Sequence, residues 1–167
     1  VDWGEVYRTT YQELVRYLHR KVWDEERARD LAQEVFVRAL RTENVERPRA
    51  FLFRVATNLA KDEARTVLRR KRHLVLLKSD ASAAEGAASP EDELLDRERW
   101  TRVRAALETL GERDQEVLLL WDSGLSYREI AEVTALSAGA VGTTLARARR
   151  RLVEAFGETE KDNAARN

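Results

Sequence analysis

The sequence predicts an all-α protein: two small helical domains joined by a flexible linker, the C-terminal one a helix-turn-helix. Three observations carry that class. Nowhere in the 167 residues does the strict apolar–polar alternation of a half-buried strand occur, whereas apolar residues recur at three- and four-residue spacing through both halves. The stretch from Lys78 to Ser89, K-S-D-A-S-A-A-E-G-A-A-S, is small, polar and aperiodic, as a linker is. From Gly124 to Leu152 the chain reads G-L-S-Y-R-E-I-A-E-V-T-A-L-S-A-G-A-V-G-T-T-L-A-R-A-R-R-R-L: two helical patterns about a tight break, the second of them basic.

The first block, residues 1–77, opens with Tyr7, Tyr11, Leu14, Val15 and Leu18 at helical spacing. Asp24 is placed to cap a second helix, whose first turn holds Glu25 and Glu26 beside the positive end of the helix dipole. Its apolar face is Ala28, Leu31, Ala32, Val35, Phe36, Ala39 and Leu40. A polar loop from Arg41 to Arg47 ends at Pro48. A third helix then carries Phe51, Leu52, Val55, Ala56, Leu59 and Ala64, and runs out into Arg69-Arg70-Lys71-Arg72. Beyond the linker, residues 78–90, Pro90 followed by Glu91 and Asp92 marks a helix start.

The second block, residues 91–157, packs one helix through Leu94, Leu95, Val103, Leu107 and Leu110, and the next through Val117, Leu118, Leu120 and Trp121. In the helix-turn-helix, Ile130, Ala131 and Val133 face inward. Ser137 is placed to cap the last helix, which buries Val141, Leu145, Ala148 and Leu152. Residues 158–167 read as a polar, frayed tail.

Thirty basic and thirty acidic residues cancel, so net charge announces no partner. Their distribution is more informative. From Glu46 to Lys78 ten basic residues oppose three acids, a surplus of +7; from Ser79 to Glu98 seven acids face Arg97 alone, giving −6. Blocks of opposite sign suit separate surfaces for separate partners. With no cysteine there is no disulfide framework and no thiolate chemistry. No apolar run approaches the roughly 20 residues that span a bilayer, so no membrane insertion and a cytoplasmic location are expected. His19 and His73 are the only histidines, and no phosphate loop or nucleophile motif occurs, so neither an enzyme nor a metal or other cofactor is expected.

Four motifs point further. Asp30 to Leu40 reads D-L-A-Q-E-V-F-V-R-A-L, and Arg47 to Arg65 reads R-P-R-A-F-L-F-R-V-A-T-N-L-A-K-D-E-A-R. Leu110 to Leu120 reads L-G-E-R-D-Q-E-V-L-L-L, and the helix-turn-helix follows. In this order, across nearly the whole chain, they resemble the extracytoplasmic-function subfamily of bacterial RNA polymerase sigma factors. The resemblance implies a transcription initiation factor that binds core RNA polymerase and reads promoter −10 and −35 elements. It places Asp30, Gln33, Glu34 and Arg38 against the clamp helices of the largest polymerase subunit, with the flap of the second subunit as a further contact. It implies that Asn58 helps read the −10 element and that the Arg41 to Arg49 loop shapes a pocket for an extruded base. Promoter DNA and, commonly in the family, an anti-sigma factor are the other implied partners.

The residue chemistry fits that role. Holding bases outside a duplex costs a few kcal/mol per step, which a base pocket and a basic groove along the strand offset. Arg54, Lys61, Arg65 and Arg69 offer phosphate contacts, and Asn58, one turn on from Arg54, can donate to and accept from a base edge. Taken without the family, Asn58 reads first as a solvated helix residue or local hydrogen-bonder, and the basic run equally as a partner of the helix dipole. The polar side of the Asp30 helix likewise reads as a solvated face.

The recognition helix departs from the family pattern. Where that pattern runs S-x-G-T-V-K-S-R-L-x-R-A-R, Ser137 to Arg149 reads S-A-G-A-V-G-T-T-L-A-R-A-R. Gly142 and Thr144 replace two cations, and Ala135 stands at the usual turn glycine. Gly142 could permit close backbone approach, and Thr143 and Thr144 could meet a base edge or a thymine methyl. Tyr127, Arg128, Ser137 and Arg147 complete the expected −35 set. Weaker or re-specified −35 recognition is therefore expected. Two other readings remain open from the residues: an autonomous helix-turn-helix regulator acting without polymerase, and an interaction protein that binds no DNA.

Overall fold

The computed structural model describes residues 1–74 and 90–166, which form seven helices and no strand. The linker expected over 78–90 falls, at 78–89, outside the described residues. In the first half α1 (Trp3–Val22), α2 (Glu25–Leu40) and α3 (Pro48–Leu74) pack on one another. In the second half α4 (Pro90–Glu108), α5 (Glu112–Asp122), α6 (Tyr127–Thr134) and α7 (Ala138–Ala165) follow.

Side-chain caps explain several starts. Asp2 and Asp24 accept from the backbone N–H of Glu5 and Arg27, each at 3.1 Å. Ser126 and Glu129 form a reciprocal capping box at α6, and the Ser137 hydroxyl accepts from Ala140 N at 3.2 Å. The buried residues form one cluster that runs through both halves, with Leu14, Tyr17, Leu18, Ala28, Val35, Leu52 and Phe53 in the first and Val117, Leu120, Ile130, Val141 and Leu145 in the second. The buried Tyr17 hydroxyl meets Thr57 Oγ1 at 2.7 Å, and that oxygen donates to the Phe53 carbonyl, so Tyr17 is the donor. Burial pushes the Tyr17 phenol well above its ordinary pKa, keeping it neutral.

Several positions depart from the sequence reading. Leu94 and Leu95 are exposed because α4 docks only through its later turns, at Val103, Ala106 and Leu107. Leu40, the last residue of α2, and Ala64, on the part of α3 that follows the buried Ala60, also face outward. Trp121 is 40% exposed and lies under the Arg149 guanidinium, 3.8 Å from its ring centre. Where a frayed tail was expected, α7 continues as helix to Ala165.

The two halves also touch. α6 lies along α3, and α5 meets α1. Trp100 of α4 packs edge-on against Trp23 at 5.9 Å and beside His19 at 5.7 Å. Arg20 pairs with Asp122, and Arg49 Nη2 donates to the Ser123 carbonyl at 2.8 Å. Gly124, just beyond, has φ +86°, which favours glycine, while a Cβ there would stand 3.2 Å from that guanidinium and ask it to shift by a few tenths of an ångström.

Candidate nucleic-acid interface

Positions 54, 58, 61, 65 and 69 fall on one side of a 3.6-residue helix, and α3 displays them as a single stripe. Arg54, Asn58, Arg65 and Arg69 are exposed. Arg54 stacks over Phe51 at 5.7 Å, while Asp62 backs Arg65 at 3.9 Å. Lys61 is set apart from them: its ammonium lies 3.5 Å from the carboxylate of Glu116, a residue only 4% exposed.

The loop before α3 is built for an open concavity. Asn44 takes a left-handed conformation at φ 60°, which asparagine tolerates, and Pro48 sets the first turn of α3. A cleft of about 540 Å³ results, lined among others by Thr42, Asn44, Arg47, Phe51 and Arg54. It lies at the Arg41 to Arg49 loop, where an extruded-base pocket was expected. On α2, Asp30, Gln33, Glu34 and Arg38 share one exposed face with Val37. Arg38 pairs with Glu34 at 3.0 Å, and Asp30 with Arg27 at 3.6 Å.

In the helix-turn-helix the expected set divides. Tyr127, Arg128 and Thr143 are exposed, while the Ser137 hydroxyl is taken by its cap. Thr144 does not face outward: it is 7% exposed and packs inside the domain. Gly142 is in ordinary helical conformation, and a Cβ there would make an easy 3.5 Å contact with the Tyr127 ring, so nothing within the chain requires glycine.

Arg147 is committed within the domain. Its Nη2 lies 2.5 Å and its Nε 3.1 Å from the carboxylate of Asp114, and Arg151 adds a contact of 2.9 Å. Asp114 is buried on α5. The hydrogen-bonded Arg147 guanidinium holds its carboxyl below the usual carboxylate range, against the upward push of burial, and Arg151 assists. Arg147 therefore locks α7 to α5 and is not a free cation awaiting DNA.

Sequence reasoning missed Asp114 and Glu116. Two positions apart on α5, they turn to different neighbours, one to α7 and one to α3. No local spacing marks either, because their partners lie 33 or more residues away. Among the described residues no group of three or more His, Asp or Glu side chains is placed to hold a metal.

Ala135 closes α6 in a left-handed conformation, φ 59°. A Cβ is unfavourable there by about 1 kcal/mol. Ala135→Gly is expected to raise the urea midpoint correspondingly, the relief of strain outweighing the looser unfolded chain. An unchanged or lower midpoint would show the turn to be unstrained.

Residues 6–72 match the family model for sigma-70 region 2, and residues 100–152 that for sigma-70 region 4. The RNA polymerase sigma factor YlaC of Bacillus subtilis (strain 168) is 33% identical over 150 residues, covering 87% of this chain and 86% of that protein. The chain belongs to the sigma factors of the extracytoplasmic-function subfamily. As a sigma factor it is a transcription initiation factor that directs RNA polymerase to promoters. Two solved structures share the fold of this sigma factor. CnrH, solved with the cytosolic domain of CnrY, superposes with a TM-score of 0.68 at 24% identity, covering 93% of this chain and 88% of that one. The sigma factor RpoE of Bartonella quintana, solved with the anti-sigma factor NepR, gives 0.67 at 21% identity, covering 93% and 97%.

Proposed function

We propose that this sigma factor divides its work between two domains, residues 1–77 and 91–157. The first holds core polymerase through the α2 face of Asp30, Gln33, Glu34 and Arg38, and holds the −10 strand through Arg54, Asn58, Lys61, Arg65 and Arg69. The second reads the −35 element through Tyr127, Arg128 and Thr143, its last helix held in place by Arg147. The α3 stripe beside the open cleft is the observation that carries this reading. Four exposed polar or cationic side chains in one line follow a strand backbone, and the cleft receives an unstacked base.

The thinned recognition helix supports a weak or altered −35 contribution, since an exposed Arg128 and Thr143 are left to work with a buried Thr144 and a committed Arg147. The chain itself catalyses no step; the polymerase does the chemistry. The cytoplasm is the compartment that fits, and no helix among the described residues is long and apolar enough to cross a membrane. An anti-sigma factor is a further partner, in keeping with the RpoE relative solved with one.

Co-elution with core RNA polymerase on a sizing column at moderate salt tests the reading. A stable complex that initiates at a −10-bearing promoter is expected. A chain that elutes alone yet retards duplex DNA would instead be an autonomous regulator.

A further inference from the structure

The face that α7 offers to a DNA groove is uncharged over its first turns. Val141, Thr144, Leu145 and Ala148 are buried in the domain, which leaves Gly139, Thr143, Ala146 and Arg150 exposed on the opposite side. Ala138 is exposed as well, and Gly142 is half-buried beside the Tyr127 ring. From Ala138 to Ala146 there is no charged side chain and no side-chain amide.

Reading a base by hydrogen bonds therefore has little to work with. In the major groove guanine is read by arginine or lysine, adenine by asparagine or glutamine, and cytosine by a carboxylate. The stretch holds none of these. Of its two hydroxyls, that of Thr144 is buried. Thr143 donates its one proton to the Gly139 carbonyl at 3.2 Å, which leaves it a lone pair and a methyl group.

The arginines that follow do not make up the loss. Arg147 is committed to Asp114, and Arg149 lies over Trp121. Arg150 is exposed on the outward side, but it stands about 18 Å along the helix from Ala138, farther than the roughly 12 Å width of the groove. Arg150 and the exposed Arg128 suit phosphates, which set position without reading sequence.

We propose that α7 reads the −35 element through thymine methyl groups, selecting thymine where a cationic helix would select guanine. This rests on the −35 assignment made under the proposed function. Alanine and the threonine methyl are the apolar partners of the thymine C5-methyl. Such short side chains reach it only when the helix backbone comes close to the bases, and two glycines on the same side permit that approach. Gly142 argues for it directly, since glycine weakens a helix relative to alanine and nothing inside the chain requires it. The Tyr127 ring, 46% exposed at the start of α6, extends the apolar surface alongside Gly142.

The test uses core RNA polymerase carrying the full chain. Duplexes randomised through the −10 and −35 positions are selected for initiation, and each −35 thymine of the selected promoter is then replaced by deoxyuridine. That exchange deletes one methyl group and leaves the hydrogen-bonding edges and the charge as they were. The selected −35 element is expected to be defined by thymines, and each exchange at a contacted position to lower initiation about fourfold, as for one methylene of buried apolar surface. Thr143→Ser keeps the hydroxyl and removes only the side-chain methyl, so one thymine position should become indifferent to the exchange. Promoters defined at −35 by guanine, or full initiation from the deoxyuridine duplexes, would overturn the proposal while −35 reading stands. Initiation untouched by replacing the whole −35 element would overturn the −35 assignment along with it.

Discussion

Asp114→Ala is expected to destabilise the C-terminal half by about 2 kcal/mol and to abolish the part of transcription that depends on the −35 element. The carboxylate is buried, yet it accepts from two arginines on the last helix, Arg147 and Arg151. Breaking a fully buried pair costs about 3–5 kcal/mol. Here the arginine side chains are 41% and 51% exposed and can turn to water, which lowers the cost. What cannot be recovered is the register of α7 against α5, since this is a polar tie between the first turn of α5 and the middle of α7.

The same site fixes the pH behaviour. The native pKa of Asp114 is depressed, so its contribution is complete above the unfolded value, about 3.9, and is lost as pH falls through the lower native value. Urea denaturation of the unaltered protein and Asp114→Asn should differ most near neutral pH and draw together as pH falls below the ordinary carboxylate range. An equal gap at both pH values would show that the charge of Asp114 contributes nothing.

The helices were legible because their signals are local. Asp24 and Ser137 stand where their side chains reach the first free N–H groups, and Pro90 opens α4. The stripe on α3 was legible for the same reason, since spacing alone puts Arg54, Asn58 and Arg65 on one side. What spacing does not reveal is which side a neighbour will cover. Thr144 looked available because polar residues default to the surface, but its position on α7 turns inward beside Leu145 and Ala148. Arg147 looked like a DNA contact until tertiary packing brought Asp114 beneath it. Leu94 and Leu95 have the spacing of a core face, yet nothing among the described residues reaches that end of α4. The contacts between halves were beyond reach from the sequence: Lys61 and Glu116, or Arg47 and Glu132, are distant in sequence and become partners only when α6 settles on α3.

Asn58→Ala is expected to cost about tenfold or more in initiation from a −10-dependent promoter, with relaxed preference at one base position. A side chain that donates and accepts at one base edge is worth about 1–3 kcal/mol of discrimination. Folding should be untouched, because Asn58 is exposed on a helix whose inward face is Leu52, Phe53, Ala56 and Leu59. Arg54→Ala should behave differently although it lies one turn away. A phosphate contact carries no sequence information, so loss should be uniform across −10 variants, and the salt dependence of strand binding should fall by about 0.7 in slope. Its stack on Phe51 is exposed and worth at most about 1 kcal/mol, so stability should scarcely move. Measuring both variants on a panel of −10 sequences separates a base reader from a backbone holder. If Asn58→Ala initiates as well as the unaltered protein on every sequence, the exposed asparagine is a solvated helix residue, and reading of the −10 element belongs to the cleft at Thr42 to Arg54 instead.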